Sequence, residues 1–427
     1  MRNDHRTNED CPVVAIAGGG IGGLACALAL ARSGVRSRVL EQASHFGEVG
    51  VGLQVAPNAV AALRALGVQE AERQSLQITG FRLVDAISSE TLAHIDLGEH
   101  FERRFGNPYL VAHRADIHGA LCRACEANEL IDLRTDSTVT GFEICGSEVS
   151  VTLASGITVN ASALVGADGV SSRVRSLIVR NDNPMLDAGV IYRALIPAAE
   201  MPLEEQKSFI TLWAGPGWHV IYYPIRDRSA YNFAAVATDP GLIRRGNGEA
   251  SVDEVLEAVR PGEGILRTLL AIPNSFRRYV IRYRDPIDNW TMGPVTLLGD
   301  AAHPMVHYLA QGAAMALEDA MCLGQVVASG DGDFARAFQL YQTLRITRSA
   351  RVQISALMLD HLLHSSGVER LVRNSILEGR NDELYYDRFA WLYTSPTVGQ
   401  DRRNDAEQCE LQVRPSDCDP LIPRRTL

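Results

Sequence analysis

Residues 18–23, Gly-Gly-Gly-Ile-Gly-Gly, contain the spacing G-x-G-x-x-G. The spacing has a chemistry when a strand precedes it and a helix follows. Gly18 permits a tight turn, Gly20 lets backbone approach a pyrophosphate, Gly23 lets helix and strand pack closely, and Gly22 is expected to bind the cofactor with them. The helix N-terminus then offers free N–H groups to an anion. Glu41 follows 18 residues after Gly23. It can accept hydrogen bonds from both hydroxyls of a ribose and would repel a 2′-phosphate. Two further turns carry aspartate. Gly166-Ala167-Asp168-Gly169 precedes Arg173 and Arg175, and Gly299-Asp300 precedes Ala301-Ala302-His303-Pro304. Asp300 is suited to a sugar-like hydroxyl, and Asp168 either to a ligand or to capping the turn after it. Arg173 and Arg175 read equally well as surface charges. A nicotinamide dehydrogenase needs neither motif.

These turns require particular elements. Val13 to Ala17 reads as a buried parallel strand, Leu24 to Arg32 as a helix ending at Gly34, and Arg38 to Glu41 as a second strand, a β-turn-α-β unit of about 30 residues. Val139 to Val151 and Thr158 to Val165 alternate like a hairpin. Val190–Ile196, Phe209–Trp213, His219–Tyr223, Tyr231–Ala237 and Tyr279–Tyr283 predict a mainly β region. Val295–Leu298 is another buried strand, Gly312 to Ala328 a helix, and residues 333–378 amphipathic helices. Residues 1–11 and the chain from Gln400 read as polar and loose.

Composition narrows the function. The 427 residues suggest two or three domains. Lys plus Arg is 41 and Asp plus Glu is 51, a net charge of −10, without the global basicity of a nucleic-acid binder. No apolar run reaches the order of 18 residues that a spanning helix needs, and residues 1–10 lack a signal peptide's apolar core. A cytoplasmic protein is expected. The 8 cysteines are scattered and read as reduced thiols. Cys122 and Cys125 form a CxxC without a second pair or a histidine pair, so a metal site is not expected.

GGGIGG, GADGVSSRVR (166–175) and GDAAHPMVHYLAQGAAMALEDA (299–320) resemble, in order and spacing, the three fingerprints of single-component flavoprotein aromatic hydroxylases. The resemblance runs from about residue 12 to 395. FGEVGVGLQVAPNAV (46–60), AHRADIH (112–118), GPGWHVIYYPIR (215–226) and WLYTSP (391–396) are most similar to 3-hydroxybenzoate 6-hydroxylases. The resemblance implies an α/β fold: a Rossmann-type FAD-binding domain (12–80, 106–185 and 291–330), an interleaved mainly β substrate domain (81–105 and 186–290), a C-terminal helical segment (331–399) and a flexible tail (400–427). FAD would be held non-covalently, with Glu41 on the adenosine ribose, Arg114 on the extended cofactor, Asp300 on its ribityl chain or pyrophosphate, and Gly312 and Ala313 facing the flavin. Asp168 would serve both FAD and NAD(P)H. NADH, or NADPH, would bind transiently, O2 would be activated as a flavin C4a-hydroperoxide, and a homodimer is implied.

The implied substrate is a small monohydroxylated aromatic acid, foremost 3-hydroxybenzoate, hydroxylated to gentisate. A phenol ionises near pH 10, so a base must increase its phenolate character. Histidine suits that task near pH 7. His219 matches a family active-site histidine, and on an extended strand His219, Ile221 and Tyr223 share one face. His307 stands where the 3-hydroxybenzoate enzymes usually carry glutamine. Imidazole can accept a phenolic proton, whereas a neutral amide only hydrogen-bonds it. His303 reads as structural, and His45, His100, His113, His118, His361 and His364 have no special context. The substrate carboxylate has no clear partner; Arg348 and Arg351 are candidates. Salicylate or 6-hydroxynicotinate hydroxylation with loss of CO2 remains an alternative, as does a larger ring in biosynthesis. The Trp-x-Trp-x-Ile-Pro motif of flavin halogenases is missing: Trp213 and Trp218 have four residues between them.

Overall fold

Val14, Ala15 and Ile16 are wholly buried, as a continuous apolar run requires of a strand covered on both faces. They belong to β1 (Val13–Ala17), inside a six-stranded sheet of a computed structural model that describes residues 13–47, 52–179 and 182–394. The polar N-terminal stretch, part of the 46–60 motif and the tail from Gln400 lie outside the described residues. Across the sheet the order is Thr291–Met292, Val295–Leu297, Ala163–Gly166, β1, β2 (Arg36–Leu40) and Ile131–Arg134. All neighbours are parallel except the Thr291–Met292 edge strand. Chain order reverses between β1 and Ala163–Gly166, where an open α/β sheet leaves a crevice at its strand ends. The three motif turns leave the carboxyl ends of three adjacent strands at that place.

The helix α1 spans Ile21–Arg32, three residues earlier than the sequence pattern suggested, so Gly22 and Gly23 lie in its first turn. The reason is steric. A Cβ on Gly23 would sit 2.0 Å from the Gly18 carbonyl oxygen, and Gly18 itself turns at φ +103 beside the Ala167 carbonyl. Residues 158–165 also divide differently. Thr158–Ala161 pairs in an antiparallel three-stranded sheet with Glu148–Leu153, while Ala163–Gly166 enters the parallel sheet. The division follows the pattern: the first piece has one buried residue in four, the second is wholly buried.

An eight-stranded sheet has the order Gly248–Ala250, Phe276–Tyr283, Leu186–Pro197, Ala230–Ala237, Trp218–Ile225, Phe209–Gly215, Gly80–Asp85, Thr91–Asp96. Its faces differ in chemistry because side chains alternate. Tyr192, Val220, Tyr222, Phe233 and Ala235 form one apolar core with Val255, Val259, Leu269 and Leu270 of two short helices. The intervening residues Ile191, Arg193, His219, Ile221, Tyr223, Asn232 and Ala234 face a cleft. Helices Phe334–Leu363, Gly367–Leu377 and Asp382–Tyr393 follow. No helix among the described residues is long and apolar enough to cross a membrane.

Candidate active site

The cleft lies between the strand ends of the first sheet and the alternating face of the second. Gly20, Gly22, Arg114, Asp300, Gly312 and Ala313 line it from the motif turns, Arg193, His219 and Tyr223 from the second sheet, and His307 from the loop between Asp300 and Gly312. Sequence motifs scattered over 300 residues therefore meet in one place.

Two helix N-termini open into this cleft. α1 begins at Gly20 and the Gly312–Ala328 helix at Gln311; neither has a side-chain cap or an acidic residue in its first turn. Their free N–H groups and positive dipole ends suit a pyrophosphate and an electron-rich carbonyl. Glu41, just past β2, accepts the Gly19 N–H at 2.7 Å and the Ala43 N–H at 2.9 Å. His118 donates from Nε2 to the Gly19 carbonyl at 2.8 Å. It therefore positions the glycine turn, a role its sequence context did not reveal. Arg114 is held below the usual arginine range by burial, and Asp300 opposes that shift. These groups have the chemistry an FAD requires, free helix N–H groups for a pyrophosphate and carboxylates for sugar hydroxyls.

Asp168 takes the second of the two places its sequence allowed, at the turn that follows it. Its carboxylate accepts Ser172 Oγ–H at 2.5 Å, Arg173 N–H at 2.7 Å and Val174 N–H at 3.1 Å, so it caps the Arg173–Ile178 helix. Its neighbours Ala167 and Gly169, not Asp168, line the cleft. Arg175 is not a surface charge. It is 1% exposed, pairs with Asp182, and donates to the Ala301 and Ala302 carbonyls at 3.1 and 2.6 Å. It ties the second motif to the third. Arg173 is exposed and donates to the Thr140 carbonyl.

Below the Gly312–Ala328 helix lies a buried polar network. Asp319 accepts Gly299 N–H at 3.0 Å, faces His303 Nε2 at 2.6 Å, and pairs with Arg345 at 2.7 Å. Against burial, the adjacent His303 and then Arg345 hold the Asp319 carboxyl well below its usual range. Arg345 and Arg348 both clasp Glu318. Arg348 also donates to the Trp391 and Leu392 carbonyls, and Arg351 stacks 3.9 Å over the Trp391 ring. Both arginines are thus engaged at a helix seam, which corrects their candidacy as carboxylate partners. Cys122 and Cys125 sit on the Arg114–Glu126 helix, and burial pushes the Cys122 thiol up to about 11.

On the sheet side, His219 is 2% exposed. Burial first, then the neighbouring His364 and His307, push its imidazole well below the usual histidine range. It is neutral at pH 7. His307 follows the Gly299-Asp300 motif on a short turn, with Ala310 at φ 53 closing it. Its ring centroid is 6.3 Å from that of His219. Its Nε2 is buried and has no partner among the described residues, and burial with nearby Arg193 pushes it down to about 3. Burial raises the Tyr223 hydroxyl, against the pull of Arg193, so it stays a donor.

Arg193 and His364 were missed from sequence. Arg193 lies on Leu186–Pro197, opposite Ala234, whose small side chain leaves the guanidinium room beside the cleft. It has no hydrogen-bond or ion-pair partner among the described residues. The only available signal was its place in the alternation, two residues after the cleft-facing Ile191. His364 ends the Phe334–Leu363 helix and meets His219 across 145 residues of chain, at 2.8 Å. No local pattern could have shown that.

Residues 10–332 match the family model described as FAD binding domain. A 3-hydroxybenzoate 6-hydroxylase of Klebsiella oxytoca is 40% identical over 379 residues, covering 88% of this chain and 95% of that protein. 3-Hydroxybenzoate 6-hydroxylase 1 of Aquipseudomonas alcaligenes is 39% identical over 387 residues, covering 90% and 98%. The crystal structure of Klebsiella pneumoniae HpxO complexed with FAD and uric acid shares the fold, with a TM-score of 0.79 at 22% identity over 90% of this chain and 97% of that one. With its motif turns gathered around one cleft, the chain belongs to the FAD-binding family of single-component flavoprotein aromatic hydroxylases.

Proposed function

We propose that this flavoprotein monooxygenase hydroxylates 3-hydroxybenzoate to gentisate with NADH and O2. The relatives at about 40% identity carry that name and motivate the choice of acid. The observation that carries the reading is the cleft's make-up: two neutral imidazoles, a tyrosine donor and an arginine without a side-chain partner among the described residues, next to a nucleotide cradle. An aromatic hydroxy acid presents the complementary set, a carboxylate and a phenol on a flat apolar ring.

FAD, when bound, accepts hydride from the nicotinamide and activates O2. Glu41 would take its ribose, α1 its pyrophosphate, Arg114 and Asp300 the chain between sugar and ring, and Gly312 and Ala313 the ring edge. The chain's own residues would do the rest. Arg193 would hold the substrate carboxylate by a charge-assisted contact. Ile221 and Leu212 would pack on the ring and exclude water. His219 would accept the phenolic proton at an imidazole nitrogen, increasing electron density on the ring carbon para to the hydroxyl. His307 would accept or share a hydrogen bond at its unpartnered Nε2, and Tyr223 would donate to a substrate oxygen. The same reading makes the protein a cytoplasmic homodimer with no nucleic-acid partner.

A panel of aromatic acids tests the choice of substrate. 3-Hydroxybenzoate is expected to perturb the flavin absorbance and to stimulate NADH oxidation more than salicylate or 6-hydroxynicotinate. Stronger stimulation by either of those, with release of CO2, would replace the substrate while leaving the family assignment intact.

A further inference from the structure

His219 does not stand alone. Its Nδ1 is 2.8 Å from His364 Nε2. The two ring centroids are 5.1 Å apart and the planes differ by 21°, as for two imidazoles sharing an in-plane hydrogen bond edge to edge. On the far side of His364, Nδ1 is 2.8 Å from Asp360 Oδ1, one helical turn earlier. By hydrogen-bond geometry neither of those two atoms has a partner among the described residues, so the approach is a close charge contact between imidazole and carboxylate rather than an aligned hydrogen bond. The backbone holds the pieces in place: Gly217 N–H donates to the His364 carbonyl at 3.0 Å, two residues before His219. Exposure rises along the row, from 2% at His219 to 7% at His364 and 29% at Asp360.

We infer that Asp360 and His364 are positioning residues that fix the tautomer of His219 and carry its proton from the cleft to solvent. Hydrogen-bond directions follow from the outer end inward. A carboxylate presents only lone pairs, so the His364 Nδ1 that faces Asp360 at 2.8 Å must carry the hydrogen. Its Nε2 is then the lone-pair nitrogen, so His219 Nδ1 must donate to it. This leaves His219 Nε2 as the free acceptor for the cleft. The inference rests on the hydroxylase reading above, because it assigns the incoming proton to a phenol. When that proton arrives, the phenol O–H bond breaks and an Nε2–H bond forms on His219. The Nδ1 proton passes to His364 Nε2, the His364 Nδ1 proton passes to Asp360, and water takes it there. Each imidazole gains one proton and loses one, and no electrons change hands. The logic is that of an aspartate orienting a catalytic histidine, with a second imidazole in between.

The groups facing this row are few. His307 and Tyr308 flank His219, with ring centroids 6.3 and 5.3 Å away. Tyr308 also packs edge-on to His364 at 5.7 Å, and its hydroxyl faces Asp360. Arg193 acts on His307. The strands on either side present Ala214 and Val236 opposite His219, neither of which titrates.

The test uses the FAD-loaded protein and a nitro-substituted 3-hydroxybenzoate, whose phenolate absorbs in the visible. In the unmodified protein the bound ligand is expected to ionise at lower pH than free ligand. Asp360→Asn can donate an amide N–H to His364 Nδ1 and so reverse the tautomers. It should raise the bound ligand's ionisation by about one pH unit or more. It should also cut kcat for 3-hydroxybenzoate at least tenfold on the acid side of the pH profile, with KM nearly unchanged. His364→Phe should do the same, and His364→Gln, whose amide oxygen still accepts from His219 Nδ1, should restore part of the ionisation. Coinciding ionisation curves and pH profiles in all four proteins would overturn the relay and leave the hydroxylase reading standing. If the unmodified holoprotein neither ionises the ligand nor oxidises NADH with any hydroxylated acid, the hydroxylase reading falls, and the relay with it. Should Asp360→Asn fail to fold, the two His364 variants decide alone.

Discussion

Arg193 and Ala234 are register partners on adjacent antiparallel strands, and Ala234 is in turn paired with Ile221. The small alanine between them leaves a cation and an apolar side chain facing the same cleft. A planar ring bearing one carboxylate meets both demands at once.

If Arg193 holds the substrate carboxylate, Arg193→Met should cost about 2 kcal/mol, or roughly thirtyfold in kcat/KM. The loss should appear mainly in KM. The corresponding benzamide, lacking the charge, should be nearly unaffected. Steady-state kinetics with acid and amide side by side checks this, and equal losses for both would refute the anchor.

Glu41 already faces the glycine turn through Gly19 N–H. Glu41→Ala should weaken FAD retention about tenfold, the worth of a charge-assisted hydrogen bond. The flavin-to-protein absorbance ratio after gel filtration measures it. Full yellow colour with normal affinity would remove the ribose role.

His307 is neutral in the folded protein down to about 3, but titrates near 6.5 when unfolded. Between those values the unfolded chain binds more protons, so stability falls as pH falls through this window. At pH 5.5 the effect amounts to about 1 kcal/mol. His307→Gln should therefore flatten the acid side of the stability profile, measured as thermal midpoint against pH. It should also shift preference toward 3-hydroxybenzoate. An unchanged pH slope would mean that the imidazole is not held neutral; an unchanged substrate profile would mean that it does not touch the ring.

How much of this was legible in the sequence depends on distance along the chain. The turns at Gly18, Ala167 and Gly299 carry local signals, because each must place backbone at a strand end. His219 and Tyr223 follow from period-two alternation. Arg193 sits in the same kind of alternation, but with no turn residue or acid nearby to set it apart from an exposed arginine. His364 and Asp360 belong to a long helix whose register against the sheet is set by tertiary packing. The network of Asp319 with Arg345 and His303 was hidden for the same reason.

That network makes its own prediction. Arg345→Met would leave Asp319 and Glu318 buried with one fewer cation, a loss of about 3 kcal/mol. The thermal midpoint should fall by several degrees. FAD should also be lost more readily, because Asp319 holds the Gly299 N–H beside Asp300. An unchanged midpoint would show that Arg348 and His303 suffice.

The most direct test is to incubate the yellow protein with NADH, O2 and 3-hydroxybenzoate and to identify the product by mass spectrometry and chromatography. The expected result is substrate-dependent NADH oxidation with one oxygen added and gentisate as the isomer formed. A flavin-loaded protein that oxidises NADH no faster with 3-hydroxybenzoate than without it, or that forms a different isomer, would contradict the proposed activity.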